Sequence, residues 1–220
     1  MSRPVLTTSE ESPRPARLDR DRGLVEAARR DPRQFDALYR KYLAQVYSFA
    51  YYELRDHHAA EDATERVFMQ ALAGLPRFEE RVDEFIASRA TFADAAGLVP
   101  ADAADFSTFR VWLFRIARNV VANERRRDRR RPVTPLDEAL HVPAPDDVVE
   151  LAAMREASDA AWRAVERLPE DRRRVVILRF VNEMSTAEIA AILGRSEGAV
   201  RVLLHRALRA VADDLRGRMN

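Results

Sequence analysis

In "RDPRQFDALYRKYLAQVYSFAYYEL", Phe35, Leu38, Tyr39, Tyr42, Leu43, Val46 and Ala50 recur three or four positions apart, the spacing of one face of an α-helix. Asp31 is placed to cap this helix, and Pro32 to occupy its first turn, where a missing N–H costs nothing. "HHAAEDATERVFMQALAGL" repeats the pattern with Val67, Phe68, Ala71 and Leu72 inward and an acidic start at Glu61 and Asp62. A third stretch, "WLFRIARNVVANERRRDRRRP", changes character along its length. On a helical wheel Trp112, Leu113, Ile116, Ala117, Val120 and Val121 share a broad apolar face, while Arg115, Arg118, Asn119, Arg125 and Arg126 fall opposite. Past Asn123 the charge intensifies, with six arginines inside residues 125–131. The alternating apolar and polar runs that mark strands are missing, so the pattern predicts an all-α fold.

The C-terminal stretch "LPEDRRRVVILRFVNEMSTAEIAAILGRSEGAVRVLLHRALRAVADDL" carries finer punctuation. Ser185 and Glu188 form a capping box at the start of one short helix, Gly194 marks a turn, and Ser196 opens a second helix bearing Arg201, Arg206 and Arg209. Two helices around a glycine turn, the second basic, make a helix-turn-helix, whose second helix enters the DNA major groove. Pro132, Pro135, Pro143 and Pro145 mark the linker before it. The chain therefore divides into a disordered tail over 1–22, a helical domain over 23–131, a linker over 132–148 and a helix-turn-helix domain over 149–220. The first domain is interrupted at residues 79–108, which hold seven acidic residues against two arginines, a net −5.

Charge sharpens this picture. The formal net charge of +1 hides clustering: of 37 basic residues only Lys41 is lysine, and arginine's planar fork suits phosphates and carboxylates. A basic stripe on a rigid helix is what phosphate binding needs. The absence of cysteine excludes disulfides, thiolate zinc sites and cysteine nucleophiles. No apolar run reaches the length of a membrane span, and the N-terminus lacks an apolar signal core, so the sequence predicts a cytoplasmic protein without membrane insertion. His57 and His58 stand four residues before Glu61 and Asp62, but no third ligand is evident, and they read as surface residues. No nucleophile–base pair or glycine-rich phosphate loop is visible, so neither an enzyme nor a cofactor is expected. Trp112, Phe109 and Phe114 offer either a base-stacking platform or core, and the broad apolar face favours core for Trp112.

Two separate regions resemble the extracytoplasmic-function (ECF) group of bacterial sigma factors, the promoter-specificity subunits of RNA polymerase. "EDATERVFMQAL" is similar to that family's polymerase-clamp-binding helix, "FRVWLFRIARNVVANERRR" to its −10 recognition and melting helix, and the C-terminal stretch to its −35-reading domain. The resemblance implies a protein that binds core RNA polymerase at the clamp and flap, binds promoter DNA, and admits an anti-sigma factor as a further partner. It assigns Arg115, Arg118, Asn119, Asn123 and Arg126 to the −10 element, Arg201, His205 and Arg206 to the −35 element, and Asp62 and Glu65 to the polymerase clamp. The chain departs from the family pattern at Glu65-Arg66, where a Gln-Glu pair is usual, and at Val202 and Leu203, where polar or basic residues are frequent. It also departs at residues 79–108, in place of a short loop that selects a −10 base. That acidic segment either packs outside the bundle or shields the basic helix, with Glu79, Glu80, Asp83 and Glu84 over Arg115, Arg118 and Arg126. The competing reading of the whole chain is a helix-turn-helix activator with an N-terminal sensing or dimerisation domain.

Overall fold

A computed structural model describes residues 20–79, 107–128 and 159–219. Among these residues there is no strand. The N-terminal unit consists of α1 (Arg22–Arg30), α2 (Phe35–Leu54), α3 (His57–Gly74) and α4 (Thr108–Asp128). The C-terminal unit has a helical stretch over residues 159–166, then α5 (Glu170–Val176), α6 (Thr186–Leu193) and α7 (Glu197–Met219).

Local chemistry sets the boundaries. Asp31 accepts a hydrogen bond from the Arg33 amide and starts a 3-10 turn at Pro32 that runs into α2. Arg55, in the left-handed region at φ 62°, ends α2, and Asp56 caps α3 by accepting from the Ala59 amide at 2.6 Å. The buried stripe of α2 is Phe35, Leu38, Tyr42, Val46, Phe49, Ala50 and Glu53, the last a carboxylate at a core position. The helix α1 was not marked by apolar spacing, yet it buries Val25 and Ala28 against the bundle.

The core gathers α2, α3 and α4, with Phe49, Phe109, Leu113 and Phe114 fully buried. Each such side chain contributes about 1.5–3 kcal/mol by leaving water. Phe109 and Phe114 are therefore core, not a stacking platform. Trp112 is half-buried and packs against Phe78 and the end of α3, where a Cβ on Gly74 would lie 3.0 Å from its ring. On α2 and α3 the apolar pattern overreaches: Tyr39 and Leu72 remain partly exposed beside the exposed Met69.

One buried charge pins the N-terminal unit together. Asp21, with 0% exposure, accepts hydrogen bonds from Lys41, Tyr42 and Ser107. Ser107 in turn accepts from the Arg110 amide at 3.0 Å and so caps α4. Burial pushes the Asp21 carboxyl up, but its hydrogen bonds outweigh burial and hold it below the ordinary value of 3.8. Asp21 and Arg22, inside the segment expected to be tail, thus belong to the bundle.

The helix-turn-helix follows its punctuation closely. The Ser185 hydroxyl accepts from the Glu188 amide at 3.2 Å while Glu188 accepts from the Ser185 amide at 2.9 Å, completing the capping box of α6. Gly194 ends α6 at φ 65°, a conformation that disfavours a Cβ. Ser196 then accepts from the Ala199 amide at 3.2 Å and starts α7.

Candidate nucleic-acid interface

The basic residues of α7 face water. Arg201, Val202, His205, Arg206 and Arg209 are exposed, whereas Val200 and Ala207 are buried on the opposite side. This separation is the amphipathic division a recognition helix needs, with one face on its own domain and one face open. Arg201 reaches back to Glu197 at 3.0 Å but keeps 67% of its side chain exposed. An apolar Val202 at 48% exposure between two basic positions offers contact to a thymine methyl.

The basic residues of α4 stand differently. Asn119, Asn123 and Arg126 are exposed, and Arg126 donates to Asn123 at 2.6 Å. Arg115 and Arg118, however, point at the carbonyl end of α6. Arg115 donates to the Ala191 oxygen at 3.0 and 2.7 Å, and Arg118 to the Ile192 oxygen at 2.7 Å. Helix carbonyl ends are partially negative, so they accept arginine as a phosphate would. Residues 80–106, invoked for shielding α4, lie outside the described residues. The acceptors observed at Arg115 and Arg118 belong to the C-terminal unit.

The seam between the units is rich in charge. Glu53 is fully buried and faces Arg125 and Arg174 at 2.9 Å each and Arg173 at 3.9 Å. Arg174 also bonds Glu170 at 2.5 Å. Burial opposes the charge on Arg174, but Glu53 outweighs it and raises its pKa, while burial and neighbouring arginines lower those of Arg118 and Arg125. Buried Arg110 reaches the Asn182 carbonyl and Glu188, the latter at 3.4 Å, and Asn182 donates to the Gln45 carbonyl at 2.8 Å. Arg55 pairs with Glu166, and the Tyr52 and Trp162 rings lie 4.3 Å apart. Sequence reading missed Glu53, Arg110 and Arg174. The available signal was Glu53 continuing the core stripe of α2.

On the far side of the N-terminal unit, α2 and α3 flank a groove of about 390 Å³ lined by Tyr39, Phe68, Met69, Leu72 and Glu65. Asp62 stands beside it and faces Arg66 at 3.8 Å, while Arg66 also pairs with Glu124 of α4. The structure thus brings Asp62 and Glu65 to the rim of an apolar patch, with Arg66 and Glu124 linking Asp62 to α4. His57 meets the Tyr47 hydroxyl at 2.6 Å and stacks on Tyr51, and His58 lies 3.7 Å from Glu61. Among the described residues, no group of three or more His, Cys, Asp or Glu side chains gathers as a metal site would require. None of the helices there is long and apolar enough to cross a membrane.

Known proteins converge on the same organisation. Residues 38–87 match the family model of Sigma-70 region 2, and residues 158–211 match that of Sigma-70 region 4. The chain is 31% identical over 167 residues to the ECF RNA polymerase sigma factor ShbA of Streptomyces griseus, covering 71% of this chain and 73% of ShbA. It is 31% identical over 179 residues to the ECF sigma factor BldN of Streptomyces coelicolor, covering 81% of this chain but spanning only 59% of BldN. Among solved structures, CnrH in complex with the cytosolic domain of CnrY shares the fold at TM-score 0.58 and 22% identity, covering 90% of this chain and 97% of that one. RpoE in complex with the anti-sigma factor NepR from Bartonella quintana does so at TM-score 0.58 and 23% identity, covering 83% and 96%. Matched by the models of both regions and 31% identical to ShbA over 71% of its own length, the chain belongs to the ECF group of RNA polymerase sigma factors.

Proposed function

We propose that this protein binds core RNA polymerase, carries it to promoters with −10 and −35 elements, and directs initiation by binding rather than by chemistry of its own. The observation that carries this reading is the separation of three surfaces: an apolar groove with an acidic rim, a helix with arginines on one face, and an exposed basic recognition helix. In this reading, residues 23–131 form the polymerase- and −10-binding domain, 132–148 the linker and 149–220 the −35-binding domain. Tyr39, Met69 and Leu72 supply apolar anchors for the clamp, and Asp62 and Glu65 supply charges that fix its orientation. Phe180, at 54% exposure, is the corresponding anchor on the C-terminal unit for the flap. Arg201, His205 and Arg206 contact the −35 major groove, and Arg115, Arg118, Asn119, Asn123 and Arg126 hold the −10 strands as they separate. The location is the cytoplasm, where polymerase works.

An anti-sigma factor is a natural partner, because CnrH and RpoE were each solved with a protein bound. The activator reading is not favoured, since it leaves the match to Sigma-70 region 2 without a role. Run-off transcription with purified core polymerase on a genomic fragment library tests the proposal. Discrete transcripts that depend on the added protein are expected, and their absence across a range of salt concentrations sinks it.

A further inference from the structure

This inference rests on the promoter-reading function. Elements named −10 and −35 are centred about 25 base pairs apart, roughly 80 Å along duplex DNA at 3.4 Å per step. In this structure the two units touch, with α4 against α6, so they cannot occupy both elements at once. Arg115 and Arg118, the residues meant for DNA, are meanwhile bonded to backbone oxygens of the other unit. The structure is therefore a closed form that has to part before both elements are read. Residues 129–158, thirty in all, are sufficient to bridge the parted units, since an extended chain of that length reaches about 100 Å.

The chemistry of the seam suits a contact made to separate. Apolar packing continues across it and supplies attraction without direction. Direction comes from Glu53, whose carboxylate lies among Arg125 of the N-terminal unit and Arg173 and Arg174 of the C-terminal unit. Six buried side-chain atoms without a well-directed hydrogen bond occur among the described residues, on Gln45, Glu53, Arg110, Glu166, Arg173 and Asn182, of which those of Glu53 and Glu166 face Arg125 and Arg55 in ion pairs. All six residues take part in the contacts that cross or border the seam. Interiors normally satisfy such atoms, so the polar contacts of the seam are less complete than those of an ordinary core. On parting, water can donate to the four oxygens, and water or a DNA phosphate can accept from the Nε–H groups of Arg110 and Arg173.

We propose that Glu53 is the latch of an autoinhibited closed form. Its carboxylate stands in for a DNA phosphate, ties Arg125 to Arg173 and Arg174, and keeps Arg115 and Arg118 on the carbonyl end of α6 until polymerase or promoter DNA draws the units apart. Glu53→Gln keeps the side chain's shape and removes its charge. The cysteine-free chain accepts dyes at His58→Cys and Arg216→Cys, both exposed, to report the distance between units in free protein. Energy transfer should be high in the parent and lower in the Glu53→Gln form. The variant should also bind nonspecific duplex at least tenfold more tightly, with a steeper salt dependence as more phosphates are engaged. A folded variant with the parent's energy transfer and DNA affinity overturns the latch.

Should Glu53→Gln fail to fold, a Gln45→Cys/Asn182→Cys pair tests the same idea from the other side. Oxidation should lock the seam and abolish core-dependent transcripts, and reductant should restore them. Undiminished transcription by the cross-linked form overturns the requirement for opening. The distance measurement uses neither polymerase nor promoter, so its failure is distinguishable from failure of the sigma reading itself.

Discussion

Two buried carboxylates, Asp21 and Glu53, meet cations in the same bundle and do so in opposite ways. Asp21 accepts from Lys41, Tyr42 and Ser107, which belong to the N-terminal unit, through its two oxygens. Glu53 draws arginines from both units, and its Oε2 faces Arg125 without a well-directed hydrogen bond. A buried charge satisfied from within one unit can be lost only by unfolding that unit. One satisfied across a seam can be relieved by separation, after which water hydrates both partners. The difference teaches how one protein uses the same costly element, a desolvated ion pair, once as a permanent pin and once as a reversible contact.

The contrast is open to attack. Asp21→Ala should be the most damaging change, lowering the unfolding free energy of the N-terminal unit by about 3–5 kcal/mol, because Lys41 loses its anion and two hydroxyls lose their acceptor. Urea titration followed by circular dichroism measures this, and a loss under about 1 kcal/mol removes Asp21 from its role. Because the folded Asp21 carboxyl titrates below its ordinary 3.8, its stabilisation is complete above that pH and disappears as pH falls through the lower folded value. The parent should therefore lose stability more steeply than Asp21→Ala below about pH 4.

Glu53→Gln comes next. Held closed, the seam would lose as much as Asp21→Ala does. Free to open, it loses only what closure was worth, about 1–2 kcal/mol, since the released arginines regain water. Equal losses from the two substitutions would show that the seam is as permanent as the bundle. Smallest should be Arg201→Ala and Arg206→Ala, whose exposed side chains leave stability within about 0.5 kcal/mol of the parent. The same two changes should relax −35 base discrimination by about 1–3 kcal/mol without altering polymerase affinity, as promoter-variant binding assays would read. Loss of polymerase binding in either would remove α7 from the recognition role.

What the sequence revealed follows from how local its causes are. The capping box, the glycine turn and the three- or four-residue recurrence of Phe35 to Ala50 act within one or two helical turns, and the corresponding elements stand where the pattern predicts them. The helix α1 escaped because nine residues with three arginines and two buried side chains give too little periodicity to read. The seam escaped for a different reason. Arg115 meets Ala191 and Arg174 meets Glu53 across 76 and 121 positions of sequence. Nothing local in an arginine says whether its acceptor will be a phosphate, a carboxylate or a helix carbonyl. The face of α4 was legible as an anion-seeking surface, but its occupant in the free protein was not.

After Val176 the helix widens into a π-helical turn over Ile177–Val181, in which the Asn182 amide bonds the Ile177 oxygen, five residues back rather than four. Such a turn holds one residue more than an α-turn and advances everything after it by about 100° in azimuth. Phe180 lies within that turn and faces water, and the phase shift sets the direction of Asn182, whose side-chain amide reaches Gln45 of the opposite unit. A single-residue deletion here would restore ordinary helical phase and rotate both functions out of position at once, so the outward aromatic and the inward amide are tied to one register and cannot drift independently.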